Sequence, residues 1–116
     1  MTVSAIITFF REDLTLARAI ESCLSQSFTL KEIILVANLA TDRSIAIAEY
    51  YRDLYPDRID LLYESKQGAN YARNRGLKAI NADWVQFLDA DDELMQHKVA
   101  HQVDLIEQNS EMPSLI

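Results

Sequence analysis

Apolar positions along the chain alternate between two periods. Residues 3–8 (Val-Ser-Ala-Ile-Ile-Thr) form a short apolar run that reads as a buried strand. Leu16, Ala17, Ile20, Cys23 and Leu24 then recur at helical spacing, behind Asp13 or Thr15 as the opening residue. Residues 31–37 contain Ile33-Ile34-Leu35-Val36, the unbroken run expected of a strand covered on both faces. Thr41, Asp42 or Ser44 can cap a second helix, which runs toward Tyr55 and stops at Pro56. Residues 59–63 read as a third strand. Gly68 breaks the chain, and residues 70–80 read as a helix with Ala72, Leu77, Ala79 and Ile80 among its apolar positions. Residues 84–88 form a fourth, buried strand running directly into Asp89. Residues 95–108 fit a last helix with Val99, Val103 and Ile106 inward, and no element is assigned after Asn109.

Strand and helix alternate four times, without repeat, linker or low-complexity stretch. That order predicts one α/β domain: a mostly parallel sheet with right-handed crossovers and helices on both faces. In such sheets ligands bind beyond the carboxyl ends of the strands. Residues 8–11, 37–42, 64–68 and 89–92 should therefore meet at one edge.

Composition narrows the function. The chain has 116 residues, 49% hydrophobic and 25% charged, with only 2 Gly and 2 Pro, which suits a globular domain. Its net charge of −7 disfavours nucleic acid, which needs a basic footprint. A phosphate ligand stays available if a divalent cation bridges it to carboxylates. Cys23 is the single cysteine, so no intrachain disulfide forms and a reducing compartment is expected. The first residues lack the basic and cleavage features of a signal peptide, and no apolar run reaches the length of a membrane span.

Asp89-Ala90-Asp91-Asp92-Glu93 is the densest candidate chemistry. Clustered carboxylates repel, a cost that magnesium or manganese removes while keeping sites open for substrate phosphates. In an extended segment Asp89 and Asp91 point the same way. The competing reading is a helix start, where acidic residues favour the dipole; Asp92 and Glu93 suit that capping role. A position directly after a strand shifts Asp89 and Asp91 toward a ligand site.

At this point the chain resembles family 2 glycosyltransferases of the GT-A fold, through five segments in order. These are residues 3–8; Ala19-Ile20-Glu21-Ser22-Cys23-Leu24-Ser25-Gln26-Ser27; Glu32-Ile33-Ile34-Leu35-Val36 ahead of Thr41-Asp42; Gly68-Ala69-Asn70-Tyr71-Ala72-Arg73-Asn74-Arg75-Gly76; and Phe87-Leu88-Asp89-Ala90-Asp91-Asp92, similar to the Asp-x-Asp motif. The resemblance implies a Rossmann-like GT-A three-layer sandwich, truncated after the Asp-x-Asp region. It makes residues 1–116 the donor-binding part without the acceptor part. It implies a nucleotide-diphosphate sugar donor, UDP-linked by preference, with Asp91 on a magnesium or manganese ion. Asp89 would lie near the ribose or sugar, Thr8 and Phe10 beside the base, and Gly68 and Arg73 in the segment that holds the nucleotide. The acceptor (saccharide, lipid-linked or protein) is undefined. A bacterial cytoplasmic enzyme is implied, peripheral at the inner membrane face in a longer form.

Two departures qualify the resemblance. Ala37 and Asn38 replace the usual acidic pair after the second strand; Asn38 offers a base both donor and acceptor where Asp has acceptors alone. Family members continue past this length into an acceptor half that carries the catalytic base, and no residue here is assigned that role. The alternative function is a non-catalytic fragment or descendant that acts as an interaction module, with a homodimer as its simplest form. A phosphotransfer domain is disfavoured, because Thr8 and Ala37, not acids, end the first two strands. Among other features, His97 and His101 are expected as solvated surface, Cys23 as a buried thiol, Trp84 as a core or sheet-edge residue, and Gly76 as a close helix–sheet contact.

Overall fold

The computed structural model describes residues 1–109. Residues 110–116, to which the sequence assigns no element, lie outside the described residues. The elements are β1 (Val3–Phe9), α1 (Leu16–Leu24), β2 (Ile33–Asn38), α2 (Asp42–Leu54), β3 (Ile59–Glu64), α3 (Ala69–Leu77), β4 (Trp84–Asp89) and α4 (Lys98–Asn109). Among the described residues the strands form one parallel sheet in the order β3-β2-β1-β4. The chain steps outward from β1 to β3, then returns to lay β4 on the other side of β1. The α/β architecture expected from the element order is therefore present, with a sheet that is parallel throughout.

The two inner strands explain the continuous apolar runs. Ala5, Ile7 and Phe9 of β1, with Ile33, Leu35 and Ala37 of β2, pack into a cluster with Leu16, Ala19, Ile20 and Cys23 of α1, Ala48 of α2, and Val99 and Val103 of α4. The alternate positions Ile6, Ile34 and Val36 belong to a second, smaller cluster with Ala72 of α3. Both clusters are needed to cover the sheet, which is why neither inner strand shows a polar face. α3 lies so close to β1 that a Cβ on Gly76 would stand 2.7 Å from Cγ2 of Ile6. Glycine costs a helix about 1 kcal/mol relative to alanine, and here it permits the contact.

Three expected elements shift. β4 is a sheet edge, not a buried strand: Leu88 is buried while Trp84 and Phe87 are 47% and 39% exposed. α3 ends at Leu77, three residues early, because the amide of Ala79 bonds the carbonyl of Gly76 and tightens the last turn. Leu77, the last residue of α3, is exposed, and Ile80 packs on the smaller cluster from outside the helix. α4 begins at Lys98, so Met95 is exposed and Asp92 and Glu93 are not in a helical first turn. No helix among the described residues is long and apolar enough to cross a membrane.

Candidate functional site

The strand order reverses between β1 and β4, and a crevice opens there beyond the strand ends. Register puts Thr8 opposite Asp89, and Asn38 opposite Glu64, at the rim. A cleft of about 360 Å³ forms at this edge, lined by Thr8, Phe9, Phe10, Glu12, Asn38, Gln67, Gly68, Ala69, Ala72, Asp89 and Asp91. Arg73 joins through its guanidinium, 3.6 Å from the carboxylate of Asp89. All the candidate residues from the sequence thus come together, although they derive from four strand ends and one helix.

Phe10 is fixed by its backbone. Its carbonyl accepts from the amide of Thr41 at 3.0 Å and the hydroxyl of Ser44 at 3.3 Å, both at the start of α2. Thr41 also caps that helix, accepting from the amide of Ser44 at 3.3 Å. The amide of Phe10 donates to Glu12 at 2.6 Å, and the guanidinium of Arg11 lies 4.7 Å from the centre of the Phe10 ring. Glu12 was not legible as a cleft residue, since it falls outside the strand-end stretches.

Asn38 behaves differently from the sequence expectation. It is 8% exposed, and its Nδ2 donates to the carbonyls of Glu64 at 3.2 Å and Lys66 at 2.7 Å. Its Oδ1 accepts from the amide of Gly68 at 2.9 Å. Two carbonyls around one atom require the NH₂ there, so the orientation of the amide follows from the network. Both donor hydrogens are engaged, and one Oδ1 lone pair remains. The same bonds tie the β3–α3 loop to β2 and hold Gly68 at φ 140°, where a side chain is strained. No side chain caps α3, so its first amides stay without a side-chain partner beside Gly68 and Ala69 in the cleft wall.

The acidic segment is a turn, not an extended stretch. The amide of Asp92 donates to the carbonyl of Asp89 at 3.0 Å, and Ala90 is fully buried between exposed acids. The turn gathers one carboxylate oxygen from each of Asp89, Asp91 and Asp92 within 4.8 Å of one another. Asp92 therefore belongs with the pair singled out from the sequence. Octahedral magnesium or manganese takes oxygens at about 2.1 Å, which sets neighbouring ligands about 3.0 Å apart. The three side chains are exposed and offer the hard oxygen donors that such an ion prefers.

Other chemistry lies elsewhere. Cys23 is buried in α1, where desolvation pushes its thiol up to about 12. His97 and His101 are exposed; Nδ1 of His97 lies 2.9 Å from the hydroxyl of Ser27.

A family model described as "Glycosyl transferase family 2" matches residues 4–113. "Uncharacterized glycosyltransferase YibD" of Escherichia coli is 38% identical over 92 residues, which is 79% of this chain and 26% of that protein. Among solved structures, Staphylococcus aureus TarS 1–349 in complex with UDP aligns with a TM-score of 0.82 at 23% identity, covering 95% of this chain and 33% of that one. The mannosyltransferase PcManGT of Pyrobaculum calidifontis, in complex with GDP-Man and Mn2+, aligns at 0.71 with 22% identity, covering 78% and 28%. These likenesses establish the shared GT-A fold. The chain spans well under two thirds of the length of its curated relatives.

Proposed function

The chain belongs to glycosyl transferase family 2, and on that premise we propose that residues 1–116 are the donor-binding part of a glycosyltransferase that holds a nucleotide-diphosphate sugar with a divalent cation. One observation carries the reading: a cleft at the strand-order reversal is lined by Asp89 and Asp91, whose carboxylates lie with that of Asp92 within 4.8 Å of one another. Asp91, Asp89 and Asp92 would hold magnesium or manganese. Bound there, the ion supplies charge neutralisation for the departing nucleoside diphosphate. The uncapped start of α3 offers amide donors to phosphate oxygens, and Gly68 lets the backbone approach them. Arg73 is placed to exchange Asp89 for a phosphate.

Thr8 and Phe10 flank the base in this proposal. With its donors engaged by the loop and one Oδ1 lone pair taken by Gly68, Asn38 has a single acceptor position left, which suits the N3–H of uracil or the N1–H of guanine and not N3 of cytosine. A UDP-sugar is the favoured donor in this proposal, supported by the neighbour in complex with UDP. The neighbours bound to UDP and to GDP-Man with Mn2+ support the class of ligand.

The test is thermal unfolding with UDP, CDP, GDP or ADP, each with and without manganese. At about 100 times Kd a ligand adds about 2.7 kcal/mol, a rise in Tm of about 10 °C for a domain of this size. UDP with manganese should give the largest rise, and Asp91→Asn should remove it. No shift with any nucleoside diphosphate, with or without metal, overturns the proposal.

A second reading has its own support. Among the described residues Trp84 and Phe87 are exposed on the edge strand β4, and Trp84 lines a groove with Val85, Val103 and Ile106. An open edge with apolar side chains suits an interaction module or a homodimer. Light scattering across concentrations separates the readings: a strict monomer that binds UDP excludes this one.

A further inference from the structure

The segment Ser22-Cys23-Leu24-Ser25-Gln26-Ser27 was notable in the sequence and has no part in the cleft. Its side chains instead grip the far leg of the acidic turn. The hydroxyl of Ser22 donates to the carbonyl of Ala19 at 2.7 Å, which leaves its lone pairs to accept from the amide of Leu94 at 3.0 Å. Gln26, 6% exposed, donates from Nε2 to the carbonyl of Ser22 at 3.0 Å and of Met95 at 2.7 Å. Its Oε1 accepts from the amide of Val99 at 3.1 Å, one of the orphan donors at the start of α4. The amide of Ser27 donates to the carbonyl of Gln96 at 2.9 Å. One buried amide thus serves the end of α1, the chain after the turn and the start of α4.

We propose that Gln26, assisted by Ser22, is a positioning residue for the Asp89–Asp92 turn, which it preorganises for a divalent cation. The inference rests on the reading of that turn as the cation site. Its other leg is already fixed, by the pairing of Asp89 with Thr8 and by the burial of Ala90. Leu94 is buried and bonded, so only Asp91, Asp92 and Glu93 span between two anchors. Three crowded carboxylates repel and would splay on a loose loop. Between fixed ends the backbone holds its arrangement before the cation arrives, and binding carries a smaller ordering cost. The chemistry selects the side chain: Glu cannot donate to Met95 and Ser22, Met can neither donate nor accept strongly, and Asn is one methylene short.

The experiment measures Mn2+ affinity by electron paramagnetic resonance with saturating UDP, and amide hydrogen exchange, on the wild type, Gln26→Met and the milder Ser22→Ala. Ile59→Val, at the amino end of β3 away from the cleft, controls for general loss of stability. Gln26→Met should weaken Mn2+ about tenfold, the equivalent of freeing about one residue, and speed exchange at residues 91–94. Ser22→Ala should do the same to a smaller degree, and it carries the test if Gln26→Met does not fold. Ile59→Val should change neither. Wild-type affinity in Gln26→Met and Ser22→Ala overturns the inference. If the wild type itself does not bind Mn2+ with UDP, the donor-site reading fails; the exchange data then decide alone whether Gln26 orders the turn, and unchanged exchange overturns it.

Discussion

Replacing Gly76 by alanine isolates the contact that seats α3 on the sheet. The new Cβ would lie 2.7 Å from Cγ2 and 3.0 Å from Cδ1 of Ile6, against an optimum of about 3.5–4.0 Å between carbons. Ile6 is fully buried in the same cluster as Ile34, Val36 and Ala72, so any retreat displaces packed side chains. Either α3 lifts by about 1 Å or Ile6 leaves its rotamer. Overpacking of this kind costs about 1–3 kcal/mol, and alanine returns about 1 kcal/mol of helix propensity. A 2.7 Å contact belongs at the upper end of that range, so the net loss should be about 2 kcal/mol, which is a fall in Tm of about 8 °C. Urea unfolding followed by circular dichroism measures it. A cycle with Ile6→Ala checks the cause, because removal of Cγ2 should make the second substitution milder by about 1 kcal/mol or more. A Gly76→Ala protein as stable as the wild type, or strict additivity in the cycle, would refute the reasoning. The consequence reaches the cleft as well: α3 carries Ala69, Ala72 and Arg73, so nucleotide affinity should fall with stability.

Three further outcomes follow from single residues. Asn38→Asp should lose about 1–3 kcal/mol in urea unfolding, since the carbonyls of Glu64 and Lys66 lose their donor; equal stability would mean the loop does not depend on it. Leu39 sits at φ 53°, a left-handed conformation that costs a branched side chain about 1–2 kcal/mol. Leu39→Gly relieves that strain but adds freedom to the unfolded chain, so a net gain of about 0.5–1 kcal/mol is expected; a loss would contradict it. The Cys23 thiol, pushed up to about 12 by burial, should resist alkylation at pH 8 until the protein unfolds. Because its folded pKa lies above the unfolded value, its stability contribution is complete below pH 9 and declines as pH rises beyond it; rapid labelling of the native protein would refute the burial argument.

Much of the fold is legible in the order of residues because periodicity is local. The run Ile33-Ile34-Leu35-Val36 is short, mostly β-branched and flanked by polar residues, which marks a strand, and a cap at Thr41, Asp42 or Ser44 with Pro56 brackets α2 by local chemistry alone. Alternation of strands and helices then leaves a parallel α/β sheet as the economical arrangement. The acidic stretch after Leu88 was visible for the same reason, as was the need for close packing at Gly76. What the sequence could not contain was which distant groups meet. β4 was read as buried because its residues are apolar, yet its exposure depends on where it joins the sheet, a choice made by the whole chain. Asn38 looked like a free donor and acceptor, and its partners lie 26 to 30 residues away in a loop with no sequence signature for the contact. Asp89 and Asp91 were expected to converge by strand alternation; they converge by a turn, and Asp92 with them. Sequence alone determined the elements and the kind of chemistry at their ends. Tertiary structure decided which donors were already engaged and how the acids were held, because hydrogen-bond partners and packing distances are set in space, not along the chain.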